Sequence, residues 1–539
     1  MTWGGWPRVR LVALAIGSLL FVYLTLVLTL VGRGGVVGTD LASYLAPAVA
    51  IVHGYGVPYV NYFDVKPPGL IFFFLPWISI FGSSLPSLVA LDVLLLVGDL
   101  ALLYYLLRQV SPRLQADLIL GLTLAVAFGL QIFSGMFLMS ETIGSFFFLL
   151  ATCLAVRLRA YPLAFFAVGA LCAFCAQIKE VWLFSVVALA IPALLSTSRV
   201  RAVAFLVAGW ATMTALIFGG VLWLGSMGGY EDVLRYKAEI FPMPSPISFI
   251  GRLARFAYQE SADLFLVWPA LPVVVAAAVV LRAKAAGVRA AARELALYKN
   301  GLALCVFLLW AALLVGYTWQ NEEGVGHNLI LIFVPFMLLL AVALAYVLEA
   351  IPKSIPRFRS SRWPTVLLVM VVIVSVAPSV AVAKGGRDSL RVLSRSDQWS
   401  TLTTLEGPAA MSKSQFIAAH LSVGGCAQTA YGWDAGNTYI YTHSNPCSRY
   451  FLSDLLSDPE VDREFRADMV ARPPDVIVYD TSLMDFDPKV FEQKVFPYAA
   501  VLKACYTASD VPTVYLRQFG PAQQSQCIAD QLRAGGWQD

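Results

Sequence analysis

Charged residues are scarce in this chain. Only 13% of its 539 residues are Asp, Glu, Lys or Arg, and 59% are hydrophobic. In a soluble domain about a quarter of the residues are usually charged, so this composition excludes an ordinary soluble enzyme. Apolar runs near twenty residues long recur instead, and they predict a polytopic α-helical membrane protein. The net charge of +4 gives no reason to expect nucleic acid as a partner.

The sequence also lacks an internal repeat, a low-complexity tract and a typical signal peptide. Its first apolar run, from about Leu11 to Val31, is longer than the core of a signal peptide and ends in Gly-Arg-Gly-Gly. We therefore expect an uncleaved span. Arg8 and Arg10 precede it, so the positive-inside rule predicts a cytoplasmic N-terminus.

The positions of later basic clusters order the remaining spans, because short loops rich in Lys and Arg stay in the cytoplasm. They predict about eleven spans in a plasma (inner) membrane, with the C-terminal tail outside. The predicted spans are 11–32, 85–107, 116–134, 137–157, 162–178, 181–197, 203–225, 264–281, 301–319, 328–349 and 364–383. The chain thus divides into a membrane module, 1–383, and an extracytoplasmic domain, 384–539.

One apolar run, from Pro68 to Phe81, is too short to cross a membrane. If it crossed, every later basic cluster would face the wrong side. We therefore predict a helix at the outer interface, started by Pro67-Pro68. This places the whole loop 33–84 on the outer side.

The tail after residue 383 is polar and predicts a small α/β domain. Short apolar runs predict strands at Ala427–Trp433, Asp475–Tyr479 and Thr513–Arg517. Ser412–His420 and Pro488–Lys494 are predicted to be helical.

The eight cysteines divide evenly between apolar runs and the tail. The tail holds Cys426, Cys447, Cys505 and Cys527. Four cysteines outside the cytoplasm suggest two disulfides, with three possible connectivities. Short loops favour pairing Cys426 with Cys447 and Cys505 with Cys527. No cysteine spacing suggests a zinc site.

The polar residues of loop 33–84 are candidates for chemistry. Asp40 follows the first span, where a carboxylate could take a proton from an attacking hydroxyl; the alternative is a helix cap. Asp64 and Lys66 precede Pro67-Pro68. A Lys at the membrane surface can bind a phosphate, although it can also simply extend its charge to the interface.

Three further candidates lie at predicted outer ends of spans. Glu141 begins a span, where a carboxylate also suits the helix dipole. Lys179 lies in a short outer turn and could share an anion with Lys66, or be a plain loop charge. His327 precedes a span containing Pro335, and a structural role is the commoner one for a lone His.

Asp92 and Asp99 lie within a predicted span, seven residues apart and hence on one helix face. A charge at mid-bilayer costs about 2.5–3.5 kcal/mol on insertion scales. Both should therefore face the bundle interior. An ion or proton path is one interpretation, and a structural polar contact is the other.

These motifs resemble the GT-C membrane glycosyltransferases, in the branch of protein O-mannosyltransferases and the lipid A aminoarabinose transferase. The first loop has the layout of that branch, including a variant of its Lys-Pro-Pro signature, and the tail resembles the outer domain of prokaryotic members. The matching segments are Asp40, His53-Gly54, Pro58-Tyr59, Asp64-Val65-Lys66-Pro67-Pro68-Gly69, Ser140-Glu141-Thr142, the His327 loop, Tyr431-Gly432-Trp433, Tyr439-Ile440-Tyr441, Ser448-Arg449-Tyr450 and Pro473-Pro474-Asp475-Val476-Ile477.

The resemblance implies a hexosyl- or pentosyltransferase of the cell envelope that uses a polyprenyl-phosphate-linked sugar. Asp40 would be the general base of an inverting reaction, Lys66 with Lys179 would hold the donor phosphate, and Glu141 would help to place a substrate. Substrate-binding positions would be Asp64, Tyr44, Tyr59 and His327. The acceptor would be a glycan, lipid or protein, and membrane lipids surround the module. No cofactor or catalytic metal is expected, although a divalent cation stays compatible with the sequence.

The sequence departs from the branch at three positions. Leu41 follows Asp40 where the mannosyltransferases have Glu, Val65 precedes Lys66 where the aminoarabinose branch has Glu, and Asn328 follows His327 where Tyr is usual. The sugar and acceptor therefore stay open. The alternative function is a polyprenyl-linked lipid carrier, flippase or transporter. Asp92 and Asp99 favour it, whereas the absence of an internal repeat counts against it. A membrane scaffold with a glycan-binding tail is a third.

Overall fold

The structure is a computed structural model that describes residues 39–110, 138, 140–240, 408–431, 435–451, 458–479 and 499–536, with short pieces between 251 and 312. The chain forms two compact units. The helical unit contains Met1–Thr29, Ala90–Ile217 and Phe241–Ser394. The mixed unit contains Leu30–Val89, Phe218–Ile240 and Arg395–Asp539.

The part of the chain described before residue 241 contains eight α-helices and one 3₁₀ turn. They are α1 Thr39–His53, α2 Gly69–Phe81, α3 Leu85–Val110, α4 Ser140–Arg157, α5 Ala164–Ile178, a 3₁₀ turn Glu180–Leu183, α6 Phe184–Leu194, α7 Arg199–Trp223 and α8 Met227–Ile240.

Three of the described helices are long and apolar enough to cross a membrane, by length and composition. They contain Ser87–Leu106, Ser140–Arg157 and Arg199–Trp223, with mean hydropathies of 2.1, 1.3 and 1.9. Helices of 18 to 25 residues are about 27–38 Å long, close to the hydrocarbon core of a bilayer. They match the predicted spans 85–107, 137–157 and 203–225, and they support a multi-pass membrane protein.

Other predicted spans are shorter in the structure or lie outside it. The predictions at 162–178 and 181–197 correspond to the apolar helices Ala164–Ile178 and Glu180–Leu194. The predictions at 11–32, 116–134, 328–349 and 364–383 lie outside the described residues, as do most of 264–281 and most of 301–319.

The helical unit is held together by close helix packing. The rings of Phe148 and Trp182 stack with centroids 5.6 Å apart, and both side chains are fully buried. Gly169 of α5 faces α7, and a Cβ at Gly169 would lie 1.9 Å from the Leu206 carbonyl oxygen. Gly209 of α7 makes the reciprocal contact with Phe166, also at 1.9 Å. Small residues of this kind let helices approach closely where lipid removes the hydrophobic drive for association.

The mixed unit contains a four-stranded sheet with the order β1-β2-β4-β3. Its strands are β1 Ala427–Tyr431, β2 Val476–Tyr479, β3 Tyr506–Ala508 and β4 Val514–Arg517. β1 and β2 are parallel, with Gln428 opposite Ile477, while β4 is antiparallel to both β2 and β3. β1, β2 and β4 fall within the three predicted strands, whereas the sequence did not indicate β3.

The tail also contains the helices α9 Pro408–His420, α10 Ala435–Thr442, α11 Pro459–Ala471 and α12 Pro521–Ala534. Of these, α10 packs against β1. The prediction at 412–420 matches α9, and the predicted helix 488–494 lies outside the described residues. Disulfides join Cys426 to Cys447 and Cys505 to Cys527, which is the pairing that short loops favour.

Helix α1 of the first loop packs directly on α10 of the tail. A Cβ at Gly436 would lie 2.4 Å from the Ala42 carbonyl carbon, so only glycine allows this approach. The Tyr55 hydroxyl donates to the Tyr439 carbonyl at 3.1 Å, and the Phe63 N–H donates to the Arg449 carbonyl at 2.9 Å. The sequence predicts a domain boundary at residue 383, where the composition changes. These contacts instead join the first loop and the tail in one compact unit.

Helix α2 has 13 residues, Gly69–Phe81, and is thus about 20 Å long, shorter than the bilayer core. It begins directly after Pro68 and ends at Gly82, whose φ of 75° favours glycine. Leu70, Phe74 and Ile78 are buried on one side, while Phe81 is 57% exposed. A short apolar helix with one buried side suits the interfacial position that the sequence predicts.

Candidate active site

A tight turn in the first loop positions the candidate residues of the mixed unit. Tyr59 has a φ of 62°, an uncommon conformation for a bulky residue, and its side chain is buried. The Tyr59 N–H donates to the Tyr62 carbonyl at 2.9 Å, and the Val57 N–H donates to Asn61 Oδ1 at 2.8 Å. The Tyr59 hydroxyl then donates to the Lys66 carbonyl at 2.9 Å. The turn therefore fixes the backbone of the predicted phosphate-binding lysine.

Helix α8 closes over this turn. The rings of Tyr59 and Tyr230 lie with centroids 5.0 Å apart. A Cβ at Gly229 would come within 2.7 Å of the Tyr59 carbonyl oxygen, so glycine is required there. Residue 59 is thus held in its strained conformation from both sides, as is common at functional sites.

The Lys66 ammonium is placed between a carboxylate and an aromatic ring. Its Nζ lies 3.6 Å from Asp64 Oδ1 and 4.7 Å from the centroid of Tyr44. The Lys66 N–H donates to the same Asp64 oxygen at 3.1 Å. The Lys66 side chain is 28% exposed, whereas the Asp64 side chain is 7% exposed. A cation in this setting is partly dehydrated but still accessible to an anion, as phosphate binding requires.

Asp40 lies in the first turn of α1, which begins at Thr39. Position 40 is four residues before Tyr44, so its backbone lies on the helix face that carries the ring in contact with Lys66. The Asp40 side chain lies outside what the structure describes. The structure therefore brings together Tyr44, Tyr59, Asp64 and Lys66, with position 40 one helical turn from Tyr44.

Glu141 and Lys179 form a second site, within the helical unit. The Lys179 ammonium pairs with Glu141 Oε1, and the Ser140 hydroxyl donates to Glu141 Oε2 at 2.9 Å. Glu141 is 1% exposed, and the Lys179 side chain is 20% exposed. Lys179 follows the last residue of α5 and reaches the first turn of α4. The sequence selected both residues but did not indicate that they pair. His327 lies outside the described residues.

Asp92 is also buried in the helical unit, at 1% exposure. Its Oδ1 accepts a hydrogen bond of 3.2 Å from the N–H of Leu138, a residue with a φ of 50°. Among the described residues, Asp92 Oδ2 and Asp99 Oδ1 are buried without a hydrogen-bond partner. Both acids thus face protein rather than lipid, as the sequence predicts for carboxyl groups at this depth.

Arg449 is a residue that sequence reasoning noted only as part of the tail pattern. Its guanidinium pairs with Asp232 of α8 at 2.8 Å and with Glu464 of α11 at 3.1 Å. It also lies over the ring of Phe63, 5.2 Å from the centroid. Arg449 therefore links the first loop, α8 and the tail. These partners are up to several hundred residues apart in sequence, so no local pattern could have indicated them.

A pair of histidines lies where α1 meets the tail. The rings of His53 and His443 stack with centroids 4.3 Å apart. Burial, together with the charge of His53, lowers the pKa of His443 below its usual value. The described residues contain no group of three His, Cys, Asp or Glu side chains that could hold a metal ion.

No protein-family model and no curated protein sequence matches the chain. Solved structures of an oligosaccharyltransferase from Archaeoglobus fulgidus are similar to it over most of its length. One is the enzyme AglB with an inhibitory peptide and a dolichol-phosphate, at 9% identity and a TM-score of 0.47, covering 92% of this chain and 74% of that one. A second is tethered to an acceptor peptide, at 11% identity and a TM-score of 0.45, covering 93% and 74%.

A third is the Archaeoglobus fulgidus oligosaccharyltransferase in its apo form, at 11% identity and a TM-score of 0.47, covering 96% of this chain and 78% of that one. These similarities are too low to argue from. We therefore base the functional proposal on the chain's own residues.

Proposed function

We propose that this protein is a membrane glycosyltransferase that moves a sugar from a polyprenyl-phosphate donor to an acceptor on the outer face of its membrane. The observation that carries the proposal is the position of Lys66. Its side chain is 28% exposed, its ammonium lies beside Asp64 and the Tyr44 ring, and the Tyr59 turn holds its backbone carbonyl. The helix that supplies Tyr44 begins at Thr39, so it also carries Asp40 in its first turn. The same loop would thus supply the cation that binds the donor phosphate and the carboxylate that accepts the proton.

In the proposed reaction the acceptor hydroxyl attacks the anomeric carbon of the donor sugar. Asp40 takes the hydroxyl proton as the new C–O bond forms. The bond between the anomeric carbon and the phosphate oxygen breaks, and the lipid phosphate leaves with the electron pair. Lys66 stabilises the negative charge that develops on this phosphate. A single displacement of this kind inverts the anomeric centre.

Lys66 would enter this reaction already paired with Asp64. A bound phosphate would compete with a carboxylate 3.6 Å away, a distance longer than a hydrogen bond. The ammonium can therefore turn toward the phosphate and keep Asp64 as a neighbour. We assign Asp64, Tyr44 and Tyr59 to this positioning and to donor binding.

Glu141 and Lys179 are assigned a supporting role. Glu141 would help to place the donor sugar or the acceptor, and Lys179 would add a second contact to the donor phosphate. Because Lys179 pairs with Glu141, its charge would be shared between this carboxylate and the phosphate. His327 is proposed as a substrate-binding residue.

The remaining proposals follow from the sequence. The protein would lie in the plasma (inner) membrane with about eleven spans, a cytoplasmic N-terminus and an extracytoplasmic C-terminal domain. Its activity would be that of a hexosyl- or pentosyltransferase in the branch of the O-mannosyltransferases and the aminoarabinose transferase. The acceptor would be a glycan, lipid or protein.

A transfer assay on the purified chain tests the proposed function. Radiolabelled polyprenyl-phosphate sugars are supplied one at a time, with a membrane extract as acceptor. We expect the wild type to move label from one donor and Asp40→Asn to lose at least about a hundredfold in rate, since general-base catalysis supplies about 10²–10⁴-fold. Normal transfer by Asp40→Asn would refute the assigned base.

A lipid carrier or flippase is the second candidate function. It is favoured by Asp92 and Asp99, each of which has one buried oxygen without a hydrogen-bond partner among the described residues. A carrier should bind the donor lipid and translocate it without breaking the sugar–phosphate bond. Translocation of labelled donor across vesicles, lost in Asp92→Asn and kept in Asp40→Asn, would favour the carrier over the transferase.

A further inference from the structure

The mixed unit contains a pocket of about 320 Å³ between the first loop and the tail. Val60 and Asn61, at the tip of the Tyr59 turn, line one side. Residues of α11 and the segment before it line the other side. This volume is at the small end of ligand pockets, with room for a sugar residue and not for a folded peptide.

Charged groups of both signs face this pocket. Arg449 and Arg472 supply two guanidinium groups, and Glu464 and Asp468 supply two carboxylates. A ligand anion would meet two carboxylates here, and a ligand cation would meet two guanidinium groups. Hydroxyl groups both donate and accept hydrogen bonds, so a neutral polyhydroxylated ligand matches the whole set.

Several of these side chains are held in place before a ligand arrives. Arg449 is fixed by Asp232 and Glu464, at 2.8 and 3.1 Å. Asp468 Oδ2 accepts a hydrogen bond of 2.7 Å from the Ser448 hydroxyl. Among the described residues, the Arg472 guanidinium has neither a hydrogen bond nor an ion pair, so its donors can turn to a ligand. Preorganisation of this kind lowers the cost of binding.

The pocket is also connected to the Lys66 site. Val60 and Asn61 follow Tyr59, whose hydroxyl holds the Lys66 carbonyl at 2.9 Å. The side chain of Val60 is 44% exposed and offers an apolar contact for the C–H face of a sugar ring. A ligand in the pocket would thus touch the turn that positions the donor phosphate.

We propose that this pocket binds a neutral sugar residue of a glycan acceptor, an inference that rests on the proposed transferase function and names its acceptor class. Arg472 and Asn61 contact the sugar hydroxyls, and Arg449 with Glu464 shapes the wall. Among the acceptors that the sequence leaves open, a glycan is therefore the one selected.

Saccharide binding to the full chain in lipid nanodiscs tests this proposal. The probes are methyl mannoside, methyl galactoside and methyl glucoside, measured by ligand-detected NMR. Galacturonate, glucosamine and a neutral serine-containing tripeptide are the comparison ligands. We expect a neutral glycoside to bind and Arg472→Ala to weaken its binding about tenfold, because a charge-assisted hydrogen bond is lost. Arg463→Ala is the matched control and should bind normally, because Arg463 lies on α11, the helix that Arg472 directly follows, and pairs with Glu460 at 3.4 Å.

Three results would overturn the proposal. They are no binding of any neutral glycoside, equal binding by Arg472→Ala, or stronger binding of the acidic sugar, the amino sugar or the peptide.

Steady-state kinetics separates this proposal from the proposed function. In a working transfer assay, Arg472→Ala should raise the KM for the glycan acceptor several-fold and leave the KM for the donor unchanged. Transfer with an unchanged acceptor KM would refute the pocket and leave the transferase standing. Glycoside binding that depends on Arg472, in a chain without transferase activity, would support the pocket and refute the transferase.

Discussion

The candidate phosphate-binding lysines of the two units, Lys179 and Lys66, differ in how they contact a carboxylate. In the helical unit, Lys179 pairs closely with Glu141, a residue that is 1% exposed. In the mixed unit, Lys66 lies 3.6 Å from Asp64 and keeps 28% of its side chain exposed. The Lys179 side chain is 20% exposed and faces a carboxylate that is fully buried, whereas the Lys66 ammonium lies over the Tyr44 ring at a longer distance from its carboxylate. This difference agrees with the prediction from the sequence, in which Lys66 binds the donor phosphate and Lys179 could share it.

The largest stability effect is expected from breaking the closed pair. Glu141→Leu leaves the Lys179 ammonium without its carboxylate and should destabilise the chain by about 3–5 kcal/mol. The loss is measured by thermal unfolding in detergent.

The double variant Glu141→Leu with Lys179→Leu removes both charges and is the matched control. It should recover most of the lost stability, because replacing a buried pair by apolar residues is often neutral. If the double variant is as unstable as the single one, the pair does not account for the effect.

A smaller effect is expected where the first loop meets the tail. Gly436→Val places a side chain against the Ala42 backbone, 2.4 Å from its carbonyl carbon, and should cost about 1–3 kcal/mol. Gly520→Ala is the control, since no atom lies within 4 Å of the added Cβ. The free energy of unfolding is measured for both variants. A tolerated Gly436→Val would mean that α1 and α10 do not pack as described.

The Tyr59 turn should affect Lys66 more than it affects stability. Tyr59→Phe removes the hydrogen bond to the Lys66 carbonyl and should cost about 0.5–1.5 kcal/mol of stability while raising the KM for the donor. Tyr62→Phe loses a similar bond of 3.1 Å, to the Ser444 carbonyl, without touching Lys66. Equal donor KM values in the two variants would show that the turn does not position the lysine.

The smallest effect is expected from pH in the mixed unit. The pKa of His443 is lowered by burial and by His53, so the folded state binds a proton less readily than the unfolded chain. This stabilising contribution is present above pH 6.5, the usual value for His, and is lost as the pH falls through the lowered pKa.

His443→Asn should flatten this acid dependence, because asparagine tolerates the φ of 50° found at this position. The free energy of unfolding of the wild type and of His443→Asn, measured between pH 5 and 7, checks this prediction. An unchanged slope in His443→Asn would assign the acid dependence to other groups.

The sequence predicted the elements of this fold better than their partners. Apolar runs indicated the helices that contain Ser87–Leu106 and Arg199–Trp223, because membrane spans have a strong compositional signal. Strand β3 was missed because three residues, Tyr506–Ala508, carry too little periodicity. Its position depends on pairing with β4, which follows later in the chain.

The sequence predicted only part of the candidate site, because it indicates residues that are close in sequence and not contacts between separate helices. Asp64 and Lys66 are two residues apart, so their proximity was evident from the sequence. The contact of Lys66 with Tyr44 and the pairing of Glu141 with Lys179 depend on how separate helices pack. The role of Arg449 depends on three distant segments and could be found only in the folded chain.

The binding of a polyprenyl phosphate without sugar tests the central claim most directly. It is measured on the wild type, on Lys66→Ala and on Lys503→Ala, a change at an exposed lysine of the same unit. A hydrogen bond to a charged group contributes about 1.5–3 kcal/mol, so Lys66→Ala should weaken binding about tenfold to a hundredfold. Lys503→Ala should bind like the wild type. Equal binding by all three proteins would contradict the assignment of Lys66 as the donor phosphate site.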